Sequence, residues 1–180
     1  MKTILSKILT VLLCVALAAA AVGIGAVRGW SAERERALDA LGDGGAMRTQ
    51  LEHRGMDAAN LAVVAARHLP AADADLLALR QASDTLLSDT EDVIAIMEAD
   101  QTITVVAARF AASLPQLASV QGSSRDMAYI DALTGSLDKQ SSLTHSYTLL
   151  TEDFNSRLSG SLLGRLAMLL GVDPLPTLAE

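Results

Sequence analysis

The hydrophobic pattern divides the chain into one uninterrupted apolar run and a longer stretch in which apolar positions recur every three or four residues. The run, Ile8 to Val27, follows Lys2 and Lys7, closes at Arg28, and holds Thr10 as its one conventionally polar side chain. A helix can return that hydroxyl to its own backbone. At about 1.5 Å per residue the run is roughly 30 Å long, the thickness of a bilayer's hydrocarbon core. Residues 1–29 are therefore expected to form a membrane anchor.

The flanks set the expected orientation. Lys2, Lys7 and the free amino group precede the run, whereas Arg28, Arg34 and Arg36 after it are diluted by Glu33 and Glu35. Short basic segments stay on the cytoplasmic side, which favours the N-terminus inside and the remainder outside the cytoplasm. A cleaved secretory signal is the rival: Lys2 and Lys7 would be its basic region, Ile8 to Leu17 its apolar region, and Ala18 to Ala21 its cleavage options. Val22, Ile24, Ala26 and Val27 extend the apolar stretch past any such cut and favour the uncleaved anchor. Cys14, the single cysteine, follows the bulky Leu13, which does not suit a lipidation site, so it reads as a small buried hydrophobe. Ala19 with Gly23 and Ala21 with Gly25 form small-x-x-x-small pairs, a surface on which two such helices could approach closely.

Beyond the anchor the period becomes helical. Ser31 to Leu38 continues the first helix, and Gly42-Asp43-Gly44-Gly45 interrupts it, each interior glycine costing about 1 kcal/mol relative to alanine. Met47, Leu51, Ala58, Leu61 and Ala65 form one stripe, ended by Pro70; Leu76, Leu79, Ser83 and Leu86 form a second, widened by Leu77 and Leu87. Ser88 and Glu91 make a capping box before Val93 to Met97, and the next helix runs to Pro115. After Gln121 to Ser124, a single long helix is predicted from Met127 through Ile130, Leu133, Leu137, Gln140, Thr144, Tyr147, Thr151, Phe154 and Leu158, with a seam that loosens at Gln140 and Thr144. Leu162 to Val172 is unusually apolar for a terminus: it packs on the bundle, self-associates or rests near the membrane. No run alternates as a half-buried strand would; Thr102 to Val106 is β-branched but leads straight into Ala107-Ala108-Arg109-Phe110. The expected fold is all-α: an N-terminal transmembrane helix, an antiparallel bundle at residues 30–160 and an apolar tail at 161–180.

Charge narrows the partners. The chain carries 14 basic and 21 acidic groups; without Lys2, Lys7 and Arg28 the remainder has a formal balance of about −10. That balance opposes nucleic acid and anionic headgroups, and no cluster of four or more Lys or Arg relieves it. The few aromatics, Trp30, Phe110, Tyr129, Tyr147 and Phe154, also argue against a stacking platform for single strands.

Three segments fall in an order that resembles a known family: Leu51-Glu52-His53-Arg54-Gly55, Asn60-Leu61, and Tyr147-Thr148-Leu149-Leu150-Thr151-Glu152-Asp153-Phe154-Asn155. With the anchor before them, the chain resembles a divergent member of the LemA family, whose stretches read L-Q-R-R-x-D-L-I-P-N-L and Y-N-x-x-V-x-x-F-N. Arg54, Asn60 and Leu61 match the first, Tyr147, Phe154 and Asn155 the second, and Ala167, Gly171, Pro174 and Pro176 the end. Glu52, His53, Met56, Asp57, Ala58 and Ala59 depart from the first stretch, Thr148 from the second, and Ser161-Leu162 stands where the family has Phe-Pro. The resemblance implies a membrane-proximal helical bundle in a bacterial inner or specialised internal membrane. It carries no established enzymatic mechanism, and some relatives take part in building specialised membranes.

The search for chemistry agrees with that. His53, His68 and His145 make no H-E-x-x-H or other compact ligand motif; His53 and Asp57 share a helix face but bring no further ligands. No serine sits in a nucleophile elbow, and Gly42, Gly44 and Gly45 lack the lysine of a phosphate loop. No catalytic residue, metal or cofactor is assigned. Arg54 and Asn60 are candidates for either a hydrogen-bonded link between helices or a polar recognition patch. Tyr147 and Phe154 share a face suited to core packing, and Asn155, one position around, caps, bridges or faces a partner. The expectation is a membrane-anchored scaffold or adaptor with the lipid bilayer and membrane or envelope proteins as partners, homo-oligomerisation among its options. The alternative is an extracytoplasmic module that senses or binds a small molecule.

Overall fold

A computed structural model describes residues 2–39, 45–140 and 142–177. Among the described residues the chain is all-α, with helices α1 (Lys2–Asp39), α2 (Ala46–Ala65), α3 (Ala74–Leu87), α4 (Val93–Ser113), α5 (Ala118–Gln121), α6 (Ser124–Lys139), α7 (Ser142–Gly160) and α8 (Leu162–Leu169), and a 3-10 turn at Leu114–Gln116. It divides into two compact units: Met1–Leu38 with Leu150–Leu175, here the anchor unit, and Asp39–Leu149 with Pro176–Glu180, here the bundle unit. These boundaries differ from 29/30 and 160/161, because Ala37 shares a buried apolar cluster with Phe154, Leu158 and Ala167.

In the bundle unit α2, α3, α4 and α6 form a ring, α2 packing on α3 and α6, and α4 on the same two. Short connections make successive helices antiparallel neighbours. Leu51, Ala58, Leu61 and Ala65 of α2 and Leu76, Leu79, Ser83 and Leu86 of α3 face the interior, as their spacing predicts. Leu77 and Leu87 do not widen the α3 stripe: they stay 50% and 43% exposed. Ile103 and Val106 are buried on the inner face of α4, and this burial outweighs the weak helix propensity of the β-branched segment.

Two local expectations are corrected. The Ser88/Glu91 capping box does not form; Asp92 is the N-cap of α4, its carboxylate accepting from the Ile94 and Ala95 amides at 3.0 and 3.2 Å. Asp92 is adjacent to the apolar run and brings a negative charge to the positive end of the helix dipole. Ser88 instead closes α3, its hydroxyl donating to the Thr85 carbonyl at 2.8 Å. The single long helix after Met127 is two helices, α6 ending at Lys139 and α7 starting at Ser142. The expected seam at Gln140 is therefore a helix end; the Thr144 side chain, like the Gly42 to Gly44 interruption, lies outside what is described, while Gly45 is the N-cap of α2.

In the anchor unit, α1 has one segment long and apolar enough to cross a membrane, almost none of it buried. The exceptions inside the run are Gly23 and Ala26. Ala26 belongs to a cluster with Phe154, Leu158, Ala167, Val172 and Leu175, against which Trp30 packs. In α7, Tyr147 belongs to the core of the bundle unit and Phe154 to that of the anchor unit.

Two glycines shape the end of the anchor unit. At Gly164, held by Ser161 as N-cap, a Cβ would collide with the Leu158 carbonyl, so only glycine fits the tight turn from α7 into α8. Gly171, at φ +98°, ends α8: its amide donates to Met168 at 3.1 Å and that of Val172 to Ala167 at 3.0 Å. This is a Schellman closure, and the apolar contact that accompanies it joins Val172 to Ala167.

Candidate functional site

Arg54 lies on the inner face of α2 between Leu51 and Ala58 and is wholly buried. Its Nε pairs with the Asp100 carboxylate of α4, both side chains being at most 1% exposed. Nη1 donates to the Leu137 carbonyl at 2.5 Å, and Nη2 to Thr104 Oγ1 at 2.5 Å, Thr104 in turn donating to the Asp100 carbonyl at 3.0 Å. Leu137 is in the last turn of α6, where carbonyls have no partner within the helix. The guanidinium caps that end, where the dipole favours a cation, and ties three helices of the ring together. A buried charge compensated on each nitrogen offers little to a ligand arriving from solvent.

The other named residues are used separately. Asn60 is exposed on α2 and Tyr147 is 2% exposed in the bundle core. Asn155 belongs to the anchor unit and clasps the tail: its Nδ2 donates to the Leu175 carbonyl at 2.9 Å and its Oδ1 accepts from the Leu175 amide at 2.8 Å. His53 is exposed, and Asp57 accepts from Ser136 Oγ at 2.7 Å. Among the described residues, no group of three or more His, Cys, Asp or Glu side chains is placed to hold a metal ion.

Two polar constellations were not anticipated. Arg48 reaches from the start of α2 to the carbonyls of Ser88 and of Thr90, the latter at 3.3 Å, and pairs with Glu52 at 3.1 Å. It thereby fastens the α3–α4 connection. At the far end of α2, Asp126 of α6 accepts from Arg67 at 2.7 Å and lies 3.1 Å from His68 Nε2, while His68 Nδ1 lies 3.1 Å from Ser119 Oγ. Burial pushes the Asp126 carboxyl up, but hydrogen bonds from Ser123 and His68 and the charge of Arg67 together leave it below its ordinary value. Hydroxyl, imidazole and carboxylate stand in the order used for nucleophilic catalysis. Here the carboxylate is shared with an arginine, and neither of the clefts described next is lined by any of the three. The arrangement closes the α2–α3 connection onto α5 and the first turn of α6. Nothing local in the sequence marks it, since its members are brought together from 58 residues apart. The Arg54 network did leave a signal: Asp100 falls between Ile96 and Ile103 on an apolar face, and a buried acid needs a partner.

One cleft, of about 350 Å³, lies in the anchor unit between Glu33, Arg36, Ala37, Leu150, Asp153 and Arg157. Arg157 pairs with Glu33 at 2.5 Å and Asp153 at 2.9 Å, and its guanidinium sits 5.8 Å from the centre of the Trp30 ring. Trp30 meets Phe154 edge to face at 5.6 Å. A second cleft, of about 450 Å³, opens on α6 beside Asp131, Gly135, Ser136 and Lys139.

Comparison with protein-family models, with curated proteins and with solved structures finds no match for this chain.

Proposed function

We propose that this chain is a membrane-anchored helical scaffold or adaptor, held by α1 in a bacterial inner or specialised internal membrane with its bundle outside the cytoplasm and contributing to membrane organisation, as its resemblance to the LemA family implies. The observation that supports this reading is α1 itself: an exposed apolar helix that continues without a break past Arg28 to Asp39. The interior polar groups of the bundle join helices to one another, as suits a rigid platform that presents surfaces.

The test joins topology to partnership. Mass measurement of the mature protein and protease accessibility in intact and opened cells should give a retained N-terminus and an externally cleavable bundle. A mature N-terminus near Val22 removes the anchor, and protection in intact cells reverses the orientation. Crosslinking of the intact protein in native membranes should then join the bundle reproducibly to a few membrane or envelope proteins. The second reading, small-molecule sensing, draws on the cleft between Glu33, Arg36 and Arg157. It would be favoured if the bundle stays uncrosslinked while a small ligand raises the melting temperature in a manner lost on Arg36→Ala.

A further inference from the structure

The outward face of α8 is leucine, and among the described residues it is largely uncovered. Gly164 and Ala167 face inward, whereas Leu162, Leu163, Leu169 and Leu170 are 86%, 52%, 85% and 53% exposed. At 100° per residue these four and the half-buried Leu166 fall in one arc of about 120°, set off from the inward face. Arg165, the one charge of α8, lies outside that arc and donates from Nε to the Ser159 carbonyl at 2.8 Å. A contiguous exposed apolar face of this kind marks a protein-interaction or membrane site.

What covers it follows from its position beside α1. The Leu170 Cδ1 lies 3.3 Å from where a Cβ on Gly23 would stand, and Gly23 is buried at that level while Val22 and Ile24 on either side are 52% and 56% exposed. Gly23 precedes Arg28, the first charge after the apolar run, by five residues, or about 7 Å of helix. If α1 crosses the bilayer, a side chain seated on Gly23 is at the depth of the acyl chains. Surface-lying helices bury their apolar face about 5–10 Å into that boundary, which matches this depth. The closing turn of α8 also suits lipid, since the Gly171 and Val172 amides occupy carbonyls that water would otherwise satisfy.

We propose that the leucine face of α8 is immersed in the same lipid leaflet as the C-terminal end of the α1 span, so that the chain grips the membrane with one crossing helix and one interfacial helix. This rests on the reading of α1 as an anchor. It also reassigns part of the small-residue surface: Gly23 is covered by Leu170 of its own chain, whereas nothing stands within 4 Å of a Cβ on Gly25.

Single cysteines at Leu162→Cys, Leu169→Cys, Leu12→Cys and Asp84→Cys, each in the full chain carrying Cys14→Ser, would be labelled with a nitrobenzoxadiazole fluorophore in phosphatidylcholine nanodiscs. The labels at 162 and 169 should be quenched by lipid bearing a nitroxide on its acyl chain, as at 12, and should resist aqueous iodide several-fold better than the label at 84. Iodide quenching at 162 and 169 equal to that at 84, with the label at 12 still in lipid, overturns the proposal and leaves the anchor standing. Shielding from both quenchers also overturns it, assigning the face to a second copy or another protein. A label at 12 that iodide reaches removes the anchor and this inference together.

Discussion

Replacing Arg54 by methionine, Asp100 by leucine, and both together measures whether the bundle is organised by the charge pair at its centre. Either single change leaves the other charge buried and uncompensated, because the two side chains are at most 1% exposed. Breaking such a pair from one side costs about 3–5 kcal/mol. Arg54→Met also strips the Leu137 carbonyl of its donor. If independent, the two changes would sum to about 6–10 kcal/mol. The double variant removes both charges and leaves chiefly that carbonyl unsatisfied, a cost of about 1–3 kcal/mol. The expected departure from additivity is therefore several kcal/mol, with the double variant more stable than either parent. Hydrogen exchange of the full chain in detergent micelles, read on α2, α4 and α6, reports the bundle unit by itself. Each single change should speed the slowest amides by roughly two to four powers of ten. A loss below about 1 kcal/mol, as exposed pairs give, or strict additivity, refutes the reasoning.

The Asp126 carboxyl titrates below its ordinary value of 3.8, so what it contributes is complete above that value and is lost as pH falls through and below it. The stability gap between the protein and its Asp126→Asn variant should thus close on acidification from about pH 4 downward, and a gap indifferent to pH refutes the assignment. Gly164→Ala forces a Cβ onto the Leu158 backbone and should loosen the α7–α8 turn by about 1–3 kcal/mol, seen as faster proteolysis of the tail. Gly135→Ala, with open space around its Cβ inside α6, should instead raise stability by about 0.4–1 kcal/mol in thermal unfolding; a loss there, or tolerance at Gly164, contradicts the packing.

Most element identities were legible because burial and helical period act on the same side chains. Leu76, Leu79, Ser83 and Leu86 read as an inward stripe and are one. The ends of elements were harder. Ser88 and Asp92 are both good caps, and the choice of Asp92 came from its place directly against the apolar run. The end of α6 at Lys139 was hidden, because the donor that occupies its terminal carbonyl comes from Arg54, 83 residues earlier. Among the site residues, Asn155 and Arg54 stood out by type, but their partners, the Leu175 backbone and Asp100, are distant in the chain.

The sequence by itself determined that the chain is helical and that one helix carries an unbroken apolar run, Ile8 to Val27. Both are set by local terms, propensity and the period of apolar side chains, which need no knowledge of what lies opposite. Only the tertiary structure decided which polar groups are consumed inside, and that Leu170 at the end of α8 seats on Gly23 of α1. Pairing a buried charge or seating Leu170 on Gly23 depends on distances between segments that sequence spacing does not encode. Those distances are fixed when the helices dock and each buried polar group must find its partner.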